Sequence, residues 1–169
     1  GLNLALDYLP GAITFDPLAW QTPDAELAAR IVWFDAYVNN LDRTPRNSNL
    51  LLWHRQLWLI DHGAALYVQH DWRDYLERAT SPFPLIKDHV LLRFASRIAE
   101  ADAYALRRLD AATIDAIVAL IPDTWLGPDT SPFATQAEQR AAYIQYLTRR
   151  LQAPRVFAEE AERARTAHL

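Results

Sequence analysis

Apolar residues recur along this chain at helical spacing in its first and last thirds, with a short run of consecutive apolar positions between. Leu27, Ile31, Phe34 and Val38 form one stripe behind Thr22-Pro23-Asp24, which supplies an N-cap, a proline for the first helical position and an acid in the first turn. The spacing predicts a helix over about 23–39. Asn49-Leu50-Leu51-Leu52-Trp53-His54 and Leu57-Trp58-Leu59-Ile60-Asp61, separated by Arg55-Gln56, predict a β-hairpin. Because its apolar positions are consecutive rather than alternating, both faces are expected to be covered. The pattern is helical again from Leu85 to about Leu109, and then from an Asp110 cap through Ile114, Ile117, Val118 and Ile121 to Pro122. Thr135-Gln136-Ala137-Glu138 has the spacing of a capping box and opens a helix carrying Tyr143, Ile144, Leu147 and Leu151, and a last helix starts at Pro154. Residues 1–21, 39–49 and 122–134 have no period and are rich in turn formers. The elements together predict a mainly α fold with one small β-hairpin, in a single domain over residues 1–169.

Composition narrows the class. The 169 residues are 51% hydrophobic and 22% charged with a net charge of −4, a balance that excludes disorder and fits one folded domain. With no Cys there is no disulfide framework, zinc ribbon or thiol nucleophile, so any metal must take oxygen or imidazole ligands, and a cytoplasmic location is expected. No run approaches the roughly 18 apolar residues of a membrane span, and the N-terminus carries no export signal. The acidic balance argues against a nucleic-acid partner, and Arg107-Arg108 and Arg149-Arg150 fall near helix C-termini, where cations complement the helix dipole. The 17 basic residues include a single lysine, Lys87.

The polar loop and the hairpin carry the candidate chemistry. In order come Asp42, Asn47 five residues later, Asn49 at the start of the first strand, and Asp61 at the end of the second, followed by His62-Gly63. Phosphoryl transfer requires such parts: a carboxylate to accept the proton of the attacking hydroxyl, and oxygen ligands from an Asn and a second Asp to hold Mg²⁺ against the nucleotide phosphates. A hairpin brings its two ends side by side, so Asn49 and Asp61 are expected within reach of one ion. Taken singly, Asp42, Asn47 and Asn49 are ordinary turn formers. Their joint order with Asp61 is what favours a site.

Asp42-Arg43-Thr44-Pro45-Arg46-Asn47 resembles the D-x-x-x-x-N catalytic loop of protein-kinase-like folds, and Ile60-Asp61-His62-Gly63 their D-F-G position with His for Phe. The fuller run from Trp33-Phe34-Asp35 through Asp61-His62-Gly63 is similar to the HipA-like kinase family of bacteria, closely over about residues 31–70 and loosely elsewhere. Lipid kinases carry a similar D-R loop. The resemblance implies the C-terminal lobe of a protein-kinase-like fold, with ATP and Mg²⁺ as cofactors and a protein Ser or Thr, or a small-molecule hydroxyl, as acceptor. An antitoxin-like regulator is a further implied partner. Asp42 would be the catalytic base, Asn47 or Asn49 one metal ligand and Asp61 the other, with Asn47 slightly preferred for its spacing from Asp42. Arg43 and Asn47 would face the nucleotide, Arg43 pairing with a phosphate or with Asp42.

The sequence also departs from the pattern. No glycine cluster precedes residue 42, and Lys87 follows the motif, where kinases place a lysine before it. With no Met and a start at Gly1, the chain is expected to be a C-terminal lobe either excised from a longer protein or naturally lacking its nucleotide lobe, and to be inactive as an isolated fragment. Two other readings remain: a non-catalytic interaction module, and a small metal-dependent hydrolase using Asp61, His62, His70 and Asp71. His62 reads more readily as structural, and His54 and His89 as surface or boundary residues. Trp33, Trp53 and Trp58 read as packing residues of the core and hairpin.

Overall fold

The computed structural model describes residues 7–18, 23–127 and 131–167. Among these the helices are α1 (Ala25–Tyr37), α2 (Tyr75–Arg78), α3 (Ile98–Leu106), α4 (Ala111–Ala119), α5 (Gln136–Leu151) and α6 (Val156–Ala167), and the strands are β1 (Ile13–Thr14), β2 (Leu50–Trp53) and β3 (Gln56–Leu59). The expected mainly α architecture with a small β element is found, and no described helix is long and apolar enough to cross a membrane.

Helix α1 is the axis of the domain, packing against α3 and α6. Its cap is Asp24, whose carboxylate accepts the N–H of Leu27 at 2.9 Å, so Pro23 precedes the cap instead of opening the helix. Thr22, the expected cap, lies outside the described residues. Of the predicted stripe, Ile31 and Val38 are buried while Leu27 and Phe34 are exposed. The buried set is wider, with Ala28, Ala29, Val32, Trp33, Ala36 and Tyr37, because a central helix is covered on most sides and its alanines let neighbours approach closely.

The continuous helix expected over 85–109 is interrupted. Pro84–Asp88 and Leu92–Phe94 are single 3₁₀ turns, and only Ile98–Leu106 is α-helical. The break has a local cause: the Val90 N–H donates to Arg43 O at 3.0 Å and the Leu91 N–H to His89 Nδ1 at 3.0 Å, so the donors that would continue a helix have other acceptors. The caps at Asp110 and Thr135 form as expected, the latter as a full capping box.

In the three-stranded sheet β1 and β3 flank β2, both antiparallel to it, with Leu50 opposite Leu59 and Trp53 opposite Gln56. The turn is therefore His54-Arg55, one residue earlier than expected; φ is 49° at His54 and 65° at Arg55, left-handed at both as a two-residue hairpin loop requires. One face of the hairpin, Leu50, Leu52, Leu57 and Leu59, packs on the core. On the other, Trp53 and Trp58 meet edge to face at 5.5 Å and Trp58 stays 38% exposed, so only one face is covered among the described residues.

Long-range polar contacts lock the helices. Asp102 on α3 accepts Trp33 Nε1–H of α1 at 2.9 Å and is held by Arg155, at the start of α6, at 2.8 Å. Arg150 of α5 is buried and donates from Nε to Tyr37 O at 2.7 Å, from Nη2 to Ala36 O at 2.8 Å and from Nη1 to Ala79 O at 3.1 Å. The cation expected to serve its own helix end thus caps that of α1. Removing it strips the buried guanidinium donors from the Tyr37, Ala36 and Ala79 carbonyls, so Arg150→Ala is expected to lower the unfolding free energy by about 3 kcal/mol in urea titration, while Arg149→Ala, on the exposed face, changes it by less than about 0.5 kcal/mol.

Candidate active site

The site begins where α1 ends. Asn39 takes a left-handed φ of 54°, which Asn tolerates, and turns the chain out of the helix. Asn40 returns to it: its N–H donates to Asp35 O at 2.8 Å, its amide to Asp35 Oδ1 at 2.9 Å, and its Oδ1 accepts the N–H of Asp42 at 3.3 Å. Reciprocal bonds between Thr44 and Asn47, at 3.0 and 3.1 Å, close the following turn.

These turns gather the predicted residues. Asp42 Oδ2 accepts Nδ2 of Asn47 at 2.7 Å and Nδ2 of Asn49 at 3.3 Å. Both asparagines therefore reach the same carboxylate; Asn47 is exposed on the loop and Asn49 is buried at the base of β2. With each NH₂ on Asp42, each amide oxygen is directed away from it. Asn49 O accepts the Ile60 N–H at 3.0 Å, extending the ladder by one pair, so Asp61 follows directly at the hairpin mouth. Asn49 and Asp61 have φ of 46° and 48°, left-handed turns that redirect the chain at both sides of that mouth. Asp61 is exposed, and its Oδ1 accepts the Gly63 N–H at 3.2 Å. A Cβ at Gly63 would lie 3.2 Å from that same oxygen, so glycine leaves the carboxylate its room. The side-chain atoms of Asp42, Asn47, Asn49 and Asp61 able to ligate a cation are all oxygens, the donor type that Mg²⁺ prefers.

Arg43 does not pair with Asp42. It is 1% exposed and points into the domain, with Nε on Asp35 Oδ2 at 2.6 Å, Nη1 on Asn49 O and 3.5 Å from Ile60 O, and Nη2 3.5 Å from His62 Nδ1. A guanidinium so enclosed is held by the protein rather than presented to a phosphate. His62 rests edge-on against Phe34 at 6.0 Å, a packing role for the residue at the D-F-G phenylalanine position. The hydrolase set is not assembled: Asp71 is engaged by Arg73 at 2.8 Å, His70 stacks near Tyr67, and among the described residues no group of three or more His, Asp or Glu is placed to hold a metal.

Two residues of this neighbourhood had no role in the sequence reading. Asp35 is fully buried, and His89, expected at the surface, is buried with Nε2 2.9 Å from Asp35 Oδ2. Because His89 Nδ1 accepts the Leu91 N–H, the ring proton sits on Nε2 and is donated to the carboxylate. Burial pushes the His89 pKa down against the pull of Asp35. Burial raises that of Asp35, but the His89 hydrogen bond and Arg43 outweigh it and hold the carboxylate below its usual range. A carboxylate at helical spacing within the otherwise apolar Trp33–Tyr37 segment was the available signal for Asp35; nothing in the sequence marked His89.

The HipA-like kinase model matches residues 1–159. The chain belongs to the HipA-like kinase family. The family match extends well beyond the 31–70 segment on which the motif resemblance rests, into the helices that hold α1 in place. No curated protein and no solved structure matches the chain. Within this HipA-like kinase chain, the loop motif follows the end of α1 and is hydrogen-bonded to the mouth of the hairpin.

A depressed histidine pKa means that the unfolded chain takes up the proton first as pH falls through about 6.5, so stability falls with it. The buried His89 is expected to contribute up to about 1.4 kcal/mol per pH unit to that decline. Thermal melts between pH 7 and 5 should therefore fall more steeply for the wild type than for His89→Gln.

Proposed function

We propose that this chain supplies the catalytic-loop and metal-ligand half of a Mg²⁺- and ATP-dependent phosphotransferase, with the glycine-rich loop and strand lysine provided by polypeptide outside residues 1–169. The observation that carries this reading is the Asp42 carboxylate held by two asparagine amides beside a hairpin mouth that ends in Asp61. Asp42 Oδ2 anchors the amides, leaving Oδ1 to receive the proton of the acceptor hydroxyl as its oxygen bonds to the γ-phosphorus and the bond to the ADP oxygen breaks. Asp61 and the amide oxygen of Asn47 or Asn49 would hold the metal ion. Bound there, Mg²⁺ supplies charge neutralisation for the nucleotide phosphates. Arg43 acts from inside, fixing the loop to the hairpin, and does not contact nucleotide.

Family membership supports an acceptor hydroxyl, and we take it to be a Ser or Thr of a protein, presented to Asp42 across the exposed 44–47 turn. A cleft of about 450 Å³ beside that turn, lined by Pro45, Lys87, Val90, Leu92 and Arg93, gives an acceptor segment a place to rest.

The test is phosphate transfer from labelled ATP by a polypeptide that joins this chain to its nucleotide lobe. Asp42→Ala is expected to reduce transfer by a factor of about 10³ or more while ATP binding, followed by fluorescence titration, persists. Asp61→Ala is expected to raise the Mg²⁺ concentration needed for half-maximal rate. Unchanged turnover in Asp42→Ala removes it as the base, whereas absence of transfer by the wild-type polypeptide favours a non-catalytic interaction module.

A further inference from the structure

The Asp35 carboxylate, in the last turn of α1, is the point at which the parts of the site are joined. Its Oδ1 accepts the Asn40 amide at 2.9 Å, and its Oδ2 accepts Arg43 Nε at 2.6 Å and His89 Nε2–H at 2.9 Å. From it two arms reach the chemistry. Through Asn40, whose Oδ1 holds the Asp42 N–H at 3.3 Å, it fixes the backbone that carries the base. Through Arg43, which donates to Asn49 O and approaches Ile60 O at 3.5 Å, it fixes both strands at the hairpin mouth, beside the Asn49 amide and immediately before Asp61.

We propose that Asp35 is a positioning residue of the phosphotransfer site, setting through Arg43 and Asn40 the separation between Asp42 and the metal-ligand pair at the hairpin mouth, with His89 fixing the carboxylate in place. The inference rests on the phosphotransfer reading above and extends it to residues that touch neither nucleotide nor acceptor. Its physical basis is the donor arithmetic. An ionised carboxylate accepts all three side-chain donors, whereas an amide at position 35 would turn an NH₂ toward at least one of them. The fit therefore demands charge and shape together. A purely stabilising function would not: buried ion pairs are often no more stable than well-packed apolar replacements, so a pair aimed at the two backbone carbonyls of the hairpin mouth serves orientation more than cohesion. Partners behind metal ligands commonly change metal affinity by about 10- to 100-fold when removed.

Mn²⁺ binding to the full chain, followed by the electron paramagnetic resonance signal of the free ion, tests this without turnover. Asp35→Asn is compared with Asp102→Asn, which breaks a partly buried Asp–Arg pair, 2.8 Å from Arg155 and distant in role from the hairpin. Both are expected to lower the melting temperature. Only Asp35→Asn should weaken Mn²⁺ binding, by about tenfold or more, with its circular dichroism spectrum unchanged. Folded Asp35→Asn that binds Mn²⁺ within about twofold of wild type overturns the inference, as does an equal loss in Asp102→Asn. Should Asp35→Asn fail to fold, His89→Gln decides: weakened binding supports the role and unchanged binding overturns it. A wild-type chain that binds no Mn²⁺, with Asp35→Asn identical, overturns this inference, while phosphate transfer by the joined polypeptide separately decides the reading on which it rests.

Discussion

The ion pair between Arg43 and Asp35 is the constraint around which the site is arranged. Both side chains are completely out of solvent. Taking two charges out of water costs several kcal/mol per ion, recovered only when geometry is close and the remaining donors and acceptors are satisfied. Here the carboxylate takes three donors and the guanidinium reaches two carbonyls. The segment from Asn39 to Asn49 offers little apolar surface to hold it down, with Leu41 itself exposed, so polar contacts to the interior define its path.

That arrangement also explains what could be read from the sequence. Caps are local signals, and those at Asp110 and Thr135 were legible because the residues that make them lie within one turn. The hairpin was legible from its two apolar runs, but its turn was displaced by one residue because neither His54 nor Arg55 is a usual left-handed residue. The helix expected from Leu85 failed for a tertiary reason: Val90 bonds to the carbonyl of Arg43, far away in sequence. Periodicity does not register such a contact.

The candidate site divides in the same way. Asp42, Asn47 and Asn49 are within seven residues and their meeting follows from turn chemistry, so spacing revealed them. The partnership of Asp35 with His89 spans 54 residues and is visible only once α1 and the 3₁₀ turns have packed. The direction of Arg43 was equally hidden, since a basic residue after a loop carboxylate can point outward to a phosphate or inward to a buried acid. Burial of Asp35 decides between them.

The contact of Arg150 with the end of α1 joins residues more than 100 positions apart. On a growing or refolding chain, the loop that holds Asp42 is complete in sequence long before the donor for the α1 carbonyls exists. Local turns can form early, but the carbonyls of Ala36 and Tyr37 acquire the Arg150 guanidinium only after α5 docks. Contacts so distant in sequence form late because the intervening loop must first be closed. The geometry of the loop is thus tied to the C-terminal helices, and a chain interrupted before α5 would carry every motif residue without the guanidinium that caps the helix end on which they are mounted.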